Sequence, residues 1–295
     1  MSGIEAALTE TASAVDEFLH TAMPEPDGPE AVLFEAMRYA SIDGGKRLRP
    51  LLVVASGGLF HVGRQNLVRT AAAVELVHCY SLIHDDLPAM DDDAMRRGKP
   101  SCHVAFDEAT AILAGDALQA LAFETLASPE THADPAVCCE LVRCLAIAAG
   151  GHGMVGGQAI DLEAEHAMLD IGEITRLQQL KTGALIAFAC EAGAILGRAP
   201  RAARQALRAY AHDLGLAFQI TDDILDAEGD PTDMGKAARK DAAAGKATFI
   251  SVLGLDRARE QADMLADQAA AHLDMFEDKA ELMRDIARFV VERRT

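Results

Sequence analysis

The sequence predicts an all-α fold. Three observations carry that expectation. Ala-, Leu- and Glu-rich segments place apolar residues three and four positions apart, no sustained alternation of strand type occurs, and none of the ten prolines interrupts a long periodic run. At 295 residues, half of them apolar, the chain can bury a sizeable core. With no repeat, low-complexity tract or long linker, it reads as a single domain over 1–295.

The elements follow in order. A helix at 4–20 is closed by Pro24, Pro26 and Pro29, which separate it from a second at 30–40. A third is expected at 47–59 and a fourth at 66–85; the run from Leu67 to His84 is apolar nearly all round, the mark of a central bundle helix. Pro88 and Pro100 bracket an acidic loop before a helix at 106–127, and Pro129 and Pro135 bracket the next connection. Helices at 135–149 and 173–197 follow, then one at 201–226 bounded by Pro200 and Pro231, then 248–270 and 276–292, which makes about ten. Between Ala227 and Ala247, Gly229, Gly235 and Gly245 alternate with Lys236, Arg239, Lys240 and Lys246, which reads as a locally basic flap.

The net charge of −19 argues against nucleic acid and against an anionic membrane surface as partners. Six cysteines, mostly inside apolar helical patterns and without CxxC pairs, suggest reduced thiols in a cytoplasmic protein. The N-terminal stretch MSGIEAALTETASAVDEF carries acids where a signal peptide would carry bases and an apolar core. The uncharged stretch Cys144 to Ile160 contains five glycines and His152, a poor membrane span, so no membrane insertion is expected.

Two aspartate-rich stretches stand out, DDLPAMD with Asp85, Asp86 and Asp91, and DDILD with Asp222, Asp223 and Asp226. Each follows an apolar helical run, where unpartnered carboxylates are costly and a cation compensates them. Asp222 and Asp226 share a helix face one turn apart, so their mutual repulsion favours a cation between them; a solvated acidic helix end would carry the same pattern. Pro88 interrupts the first cluster, so the chain must turn and return Asp91 toward Asp85. A donor set of hard carboxylate oxygens without a His/Cys set favours Mg²⁺, with substrate phosphate oxygens completing the coordination.

Three basic groups accompany the acids: Lys46, Arg47 and Arg49 in GGKRLRP; Arg96, Arg97 and Lys99 after the first motif; and Lys181 beside Thr182 in an otherwise apolar helix. Arg forks and Lys point charges are the usual diphosphate partners, although each alone could be a solvated charge. His78 lies two turns before Asp85 on the same face and is open to a structural or a functional reading.

The blocks GGKRLRP, VELVHCYSLIHDDLPAMDDDAMRRGKPSCH, ILAGDALQALAFE, GGQAIDLEAE, LKTGALI, GLAFQITDDILD and GKATF, in consistent order from Ala36 onward, resemble the bacterial farnesyl diphosphate synthases of the short-chain trans-prenyltransferase family. The resemblance implies a bundle around a central cavity, of the isoprenoid synthase type. It also implies condensation of isopentenyl diphosphate with dimethylallyl and geranyl diphosphates. Asp85, Asp86, Asp91, Asp222 and Asp226 correspond to the ligands of three Mg²⁺ ions, Mn²⁺ being the alternative metal. Arg96, Lys181, Lys236 and Lys246 resemble contacts to the allylic diphosphate, and Lys46, Arg49, His78 and Arg97 the isopentenyl diphosphate site. Thr182 and Gln219 match groups lining the reacting centre, with Gln158 and Asp161 beside them. A homodimer burying helices such as 106–127 is implied as well. Ala94, Met95 and Ser101 depart from common relatives without touching a ligand position.

Tyr80 and Ser81 lie five and four residues before Asp85, where the resemblance places the floor of the chain-growth tunnel and implies a C15 product. The competing expectations are a geranylgeranyl diphosphate synthase, a terpene cyclase, which DDILD together with GGKRLRP disfavours, and a non-catalytic prenyltransferase subunit, which two complete aspartate motifs disfavour.

Overall fold

The computed structural model describes residues 3–25, 27–164, 169–228 and 248–293. Its secondary structure is helical apart from one two-residue hairpin. The chain separates into two compact units, the first comprising residues up to Val54 with Val62–Val142, the second Ala55–His61 with residues from Arg143 onward.

In the first unit, α1 (Gly3–Ala22), α2 (Ala31–Ser41), the start of α3 (Leu48–Gly58), α4 (Arg64–Asp85), a short α5 (Cys102–Ala105) and α6 (Glu108–Ala127) surround one another. α4 is the centre: Leu67, Ala71, Ala72, Ala73, Val74, Leu76, Val77, Cys79, Tyr80 and Ile83 are buried on every side of it, as a helix apolar nearly all round requires. α6 begins at Asp107, whose carboxylate accepts from the Thr110 N–H at 2.8 Å and so satisfies one of the orphan donors of the first turn. Gly115 lets α6 approach α4 closely, because a Cβ there would fall 2.1 Å from the His84 ring.

Between α4 and α5 lies a hairpin that the helical expectation omitted. β1 (Met95–Arg96) pairs antiparallel with β2 (Lys99–Pro100), in register Arg96 to Lys99. Arg97 and Gly98 at its tip both have positive φ, 52° and 74°, the type I′ geometry of a two-residue turn. The ladder is too short to produce a visible alternation in the sequence.

The second unit contains the end of α7 (Pro135–Ala149), α8 (Met154–Ala164), α9 (Ile171–Gln178), a π-helical turn at Gln179–Gly183, α10 (Ala184–Leu196), α11 (Arg201–Glu228), α12 (Phe249–Leu253), α13 (Leu255–Ala271), a 3-10 segment (Asp274–Ala280) and α14 (Glu281–Glu292). α11, 28 residues and so about 42 Å long, packs against α10 and α13. Tyr210, fully buried on α11, donates its hydroxyl to the Met283 carbonyl of α14 at 2.7 Å. α9 opens with a capping box between Asp170 and Glu173, and α12 with one between Thr248 and Ser251.

The expected helices are corrected at two places. The helix at 248–270 is two helices, because Gly254 adopts φ 79° and stops α12. α8 occupies a glycine-rich stretch where no helix was expected; its packing overrides the poor propensity of glycine.

All six cysteines are free, four of them buried. Among the described residues two helical stretches, Pro135–Ala164 and Ile171–Leu196, are long and apolar enough to cross a membrane by length and composition; 44% and 61% of their apolar windows lie inside the protein.

Candidate active site

In the first unit, the C-terminus of α4 delivers Asp85 and Asp86 to a tight loop. The Asp91 N–H donates to the Asp85 carbonyl at 2.9 Å and the Asp93 N–H to the Asp86 carbonyl at 3.2 Å, so the chain returns on itself after Pro88 as expected. Asp92, at φ 49°, takes the left-handed conformation the turn needs. Asp85 and Asp91 remain half-buried at this corner. Asp86 is only 2% exposed and lies in the fork of Arg96, which donates from Nε at 2.8 Å and also from Nη2; Arg96 Nη2 reaches Asp93 at 3.4 Å as well. Asp93 is a buried acid the sequence reading did not single out.

Beside this corner lies a cleft of about 120 Å³ whose lining includes Gly44, Gly45, Cys79, Arg96, Arg97 and Lys99. Of the GGKR residues, Lys46 is exposed and Arg49 is half-buried with Nη1 3.3 Å from His78 Nε2, whereas Arg47 is buried in the core. Arg47 donates to Glu75 at 2.8 Å, to Asp16 at 2.6 Å and to the Ser41 carbonyl at 2.6 Å. It is an anchor of the fold. Burial, reinforced by Arg49, Arg97, Arg96 and Arg47, pushes the pKa of His78 well below its usual value, so the imidazole is neutral and its Nε2 can accept from Arg49. Tyr80, 4% exposed, meets the His84 ring edge-on at 5.8 Å; burial raises its phenol pKa, with Gln119 opposing and Asp85 adding to the rise. The Ser81 hydroxyl donates to the His78 carbonyl at 2.9 Å.

The second unit assembles the other set. Lys181 and Thr182 sit in the π turn, a geometry common where a helix must aim side chains at a site. Lys181 Nζ donates to Asp161 at 2.7 Å, and Thr182 Oγ1 lies 3.3 Å from Gln219 Oε1. Gln219 in turn donates to Asp223 at 3.1 Å, and Asp223 accepts from the Phe249 N–H at 2.8 Å, tying α11 to the start of α12. Gly157 makes this possible, since a Cβ there would lie 2.2 Å from the Lys181 backbone nitrogen. Gln158, 9% exposed, has both amide atoms buried without a protein partner, which is costly unless water or ligand satisfies them. Asp222 and Asp226 are half-buried, and Asp222 accepts from Arg293. Lys236 and Lys246 lie outside the described residues.

A polyprenyl synthetase family model matches residues 30–286. The chain belongs to the polyprenyl synthetase family. It is 43% identical over 297 residues to the farnesyl diphosphate synthase of Escherichia coli, covering 98% of this chain and 97% of that one. It is 42% identical over 291 residues to that of Haemophilus influenzae, covering 98% of each. Among solved structures, an FPP/GFPP synthase from Zymomonas mobilis is 53% identical with a TM-score of 0.90, covering 98% of both chains. The fold is accordingly that of the isoprenoid synthase type, and divalent metal and isoprenoid diphosphates are what such a family uses.

The donor set of this polyprenyl synthetase fits a hard divalent ion. Among the described residues no three His, Cys, Asp or Glu side chains converge. Mg²⁺ commonly takes only one or two carboxylates with waters and phosphate oxygens, and the Asp85–Asp91 corner and the Asp222–Asp226 face each offer that number. Three further residues escaped the sequence reading: Glu75, Asp93 and Arg293. An acid inside the mostly apolar run of α4 was the available signal for Glu75, because such a carboxylate requires a buried partner.

Proposed function

We propose that the protein is a farnesyl diphosphate synthase, joining isopentenyl diphosphate to dimethylallyl diphosphate and then to geranyl diphosphate, and acting as a single 1–295 domain. The observation that carries this reading is the full-length likeness to farnesyl diphosphate synthases in a chain whose two aspartate motifs are complete.

In this reading Asp85 and Asp91, with Asp222 and Asp226, hold three Mg²⁺ ions, while the Arg96 fork occupies Asp86 and makes it a support for that arginine. When bound, the metal neutralises charge on the departing diphosphate. Arg96 and Lys181 add positive charge to the allylic diphosphate, joined by Lys236 and Lys246. Lys46, Arg49 and Arg97 bind the isopentenyl diphosphate, and neutral His78 fixes Arg49 without adding a charge to be screened. Thr182 and Gln219 line the reacting centre, their polar atoms already orienting one another. The allylic C–O bond breaks, the isopentenyl double bond forms the new C–C bond at the cationic carbon, and the proton lost passes to the released diphosphate. Tyr80 blocks growth beyond C15.

A homodimer in the cytoplasm accompanies this reading, supported by Ile112 and Leu113, apolar and 44% and 56% exposed on α6. The deciding experiment is incubation of the purified chain with Mg²⁺, isopentenyl diphosphate and dimethylallyl diphosphate, with products separated by chromatography. A C15 diphosphate is expected. A C20 product would make it a geranylgeranyl diphosphate synthase, and no product would overturn the enzymatic reading.

A further inference from the structure

The Arg97 guanidinium lies on the cleft beside the first aspartate motif and is bounded on two sides. On one side Gly44 and Gly45 press against it; a Cβ on Gly45, whose φ is 75°, would sit 2.6 Å from Arg97 Nη2. On the other side Arg97 Nη2 forms an ion pair with Glu75 Oε1 at 3.8 Å. Arg97 itself holds φ 52° at the tip of the hairpin, so its backbone is committed as well.

Glu75 is 2% exposed, and the same oxygen, Oε1, accepts from Arg47 Nη1 at 2.8 Å. Arg47 is immobilised independently by Asp16 and the Ser41 carbonyl. The oxygen that Arg47 fixes to the core is therefore also the one that faces the cleft arginine. Burying a carboxylate between two arginines is expensive unless both are satisfied, and one buried arginine would suffice to neutralise it. The second contact leaves Arg97 in the field of the same carboxylate.

We infer that Glu75 is a positioning residue for the isopentenyl diphosphate subsite, holding Arg97 against the Gly44–Gly45 backbone so that its guanidinium meets a diphosphate already oriented. This rests on the reading of that cleft given above. Glu75 touches no substrate; it removes the freedom Arg97 would otherwise lose on binding.

The test compares three variants of the full chain. Glu75→Gln keeps the shape and removes the charge; KM for isopentenyl diphosphate should rise about tenfold or more, with KM for geranyl diphosphate changed less than about twofold. Asp16→Asn loosens Arg47 from its other side without touching Arg97, and should lower the melting temperature while leaving the isopentenyl diphosphate KM in place. Adding Glu75→Gln to Arg97→Gln should raise that KM no further than Arg97→Gln alone. Equal rises in both KM values, or additive effects in the double variant, would overturn the inference. If Glu75→Gln does not fold, Glu75→Asp, which keeps the buried negative charge but draws the carboxylate back by one methylene, gives the same readings; loss of fold in both assigns Glu75 to the core and also overturns it. Should the wild-type chain make no prenyl product, the proposed function fails instead, and the same comparisons are then read from calorimetric binding of inorganic diphosphate.

Discussion

Arg293 donates through Nη2 to Asp222 Oδ1 at 2.5 Å and to the Phe218 carbonyl at 3.2 Å, with its guanidinium carbon 4.0 Å over the Phe218 ring. The arginine is 8% exposed and the aspartate 42%, so the cation is seated in the protein while the carboxylate still looks outward. Arg293 thus supplies the positive charge that the second motif needs, and a metal ion at Asp222 must share or displace it. Arg293→Gln is expected to lower the Mg²⁺ concentration giving half-maximal activity by about two- to threefold, a difference well under 1 kcal/mol, as a half-exposed pair allows. A magnesium titration of the steady-state rate checks it; an unchanged or higher midpoint would show that the arginine helps the metal rather than competing with it.

Asp85 and Asp86 are neighbours in sequence with opposite expected phenotypes. Asp86 is buried in the Arg96 fork, so Asp86→Asn leaves the arginine only its longer pair with Asp93 at 3.4 Å and should cost about 3 kcal/mol of stability. Asp85 lies half-buried at the corner closed by the Asp91 N–H, and Asp85→Asn should reduce kcat by at least about a thousandfold with little change in unfolding midpoint. Denaturant melts and rate measurements on both variants separate the roles. Equal stability losses would remove the distinction.

The parts legible in the sequence were those decided locally. The all-round apolar run of α4, the turn forced by Pro88 and the i, i+4 face of Asp222 and Asp226 all follow from spacing alone. What escaped was decided by tertiary contact. α8 is a helix although it is rich in glycine, and Gly157 is glycine because the Lys181 backbone passes against it. Arg47 and Arg49 are two residues apart and chemically alike, yet one is locked in the core and the other pairs with His78 at the site. Only the partners, Glu75 and Asp16 for Arg47, tell them apart, and these lie 28 and 31 residues away.

His78 makes stability depend on pH in a defined direction. Burial first, and the surrounding arginines second, lower its pKa in the folded state, while the unfolded chain returns it to about 6.5. Below that value the unfolded state binds the proton and the folded state does not, so stability falls as pH falls, by up to about 1.4 kcal/mol per pH unit until the folded pKa is reached. Other groups titrate in the same range, so the prediction concerns a difference. Between pH 7.5 and 5.5 the wild-type melting temperature should fall more steeply than that of His78→Gln. Parallel curves would mean that His78 accepts its proton in the folded state.

Tyr80 governs product length in the proposed reading, and its surroundings set what its removal should do. The side chain is 4% exposed on α4, five residues before Asp85 and edge-on to His84. Each added isoprene unit would gain about 4 kcal/mol by burying five carbons at about 0.8 kcal/mol each, so a steric stop is required to end elongation. Tyr80→Ala removes that stop and should shift the main product from C15 to C20 or longer, while costing about 3 kcal/mol of stability through the cavity it leaves. Tyr80→Phe keeps the volume and should retain C15, which separates bulk from the hydroxyl. Chromatography of the diphosphate products decides it: an unchanged chain length in Tyr80→Ala would place the stop elsewhere in the fold, and lengthening in Tyr80→Phe would assign it to the phenolic oxygen rather than to the ring.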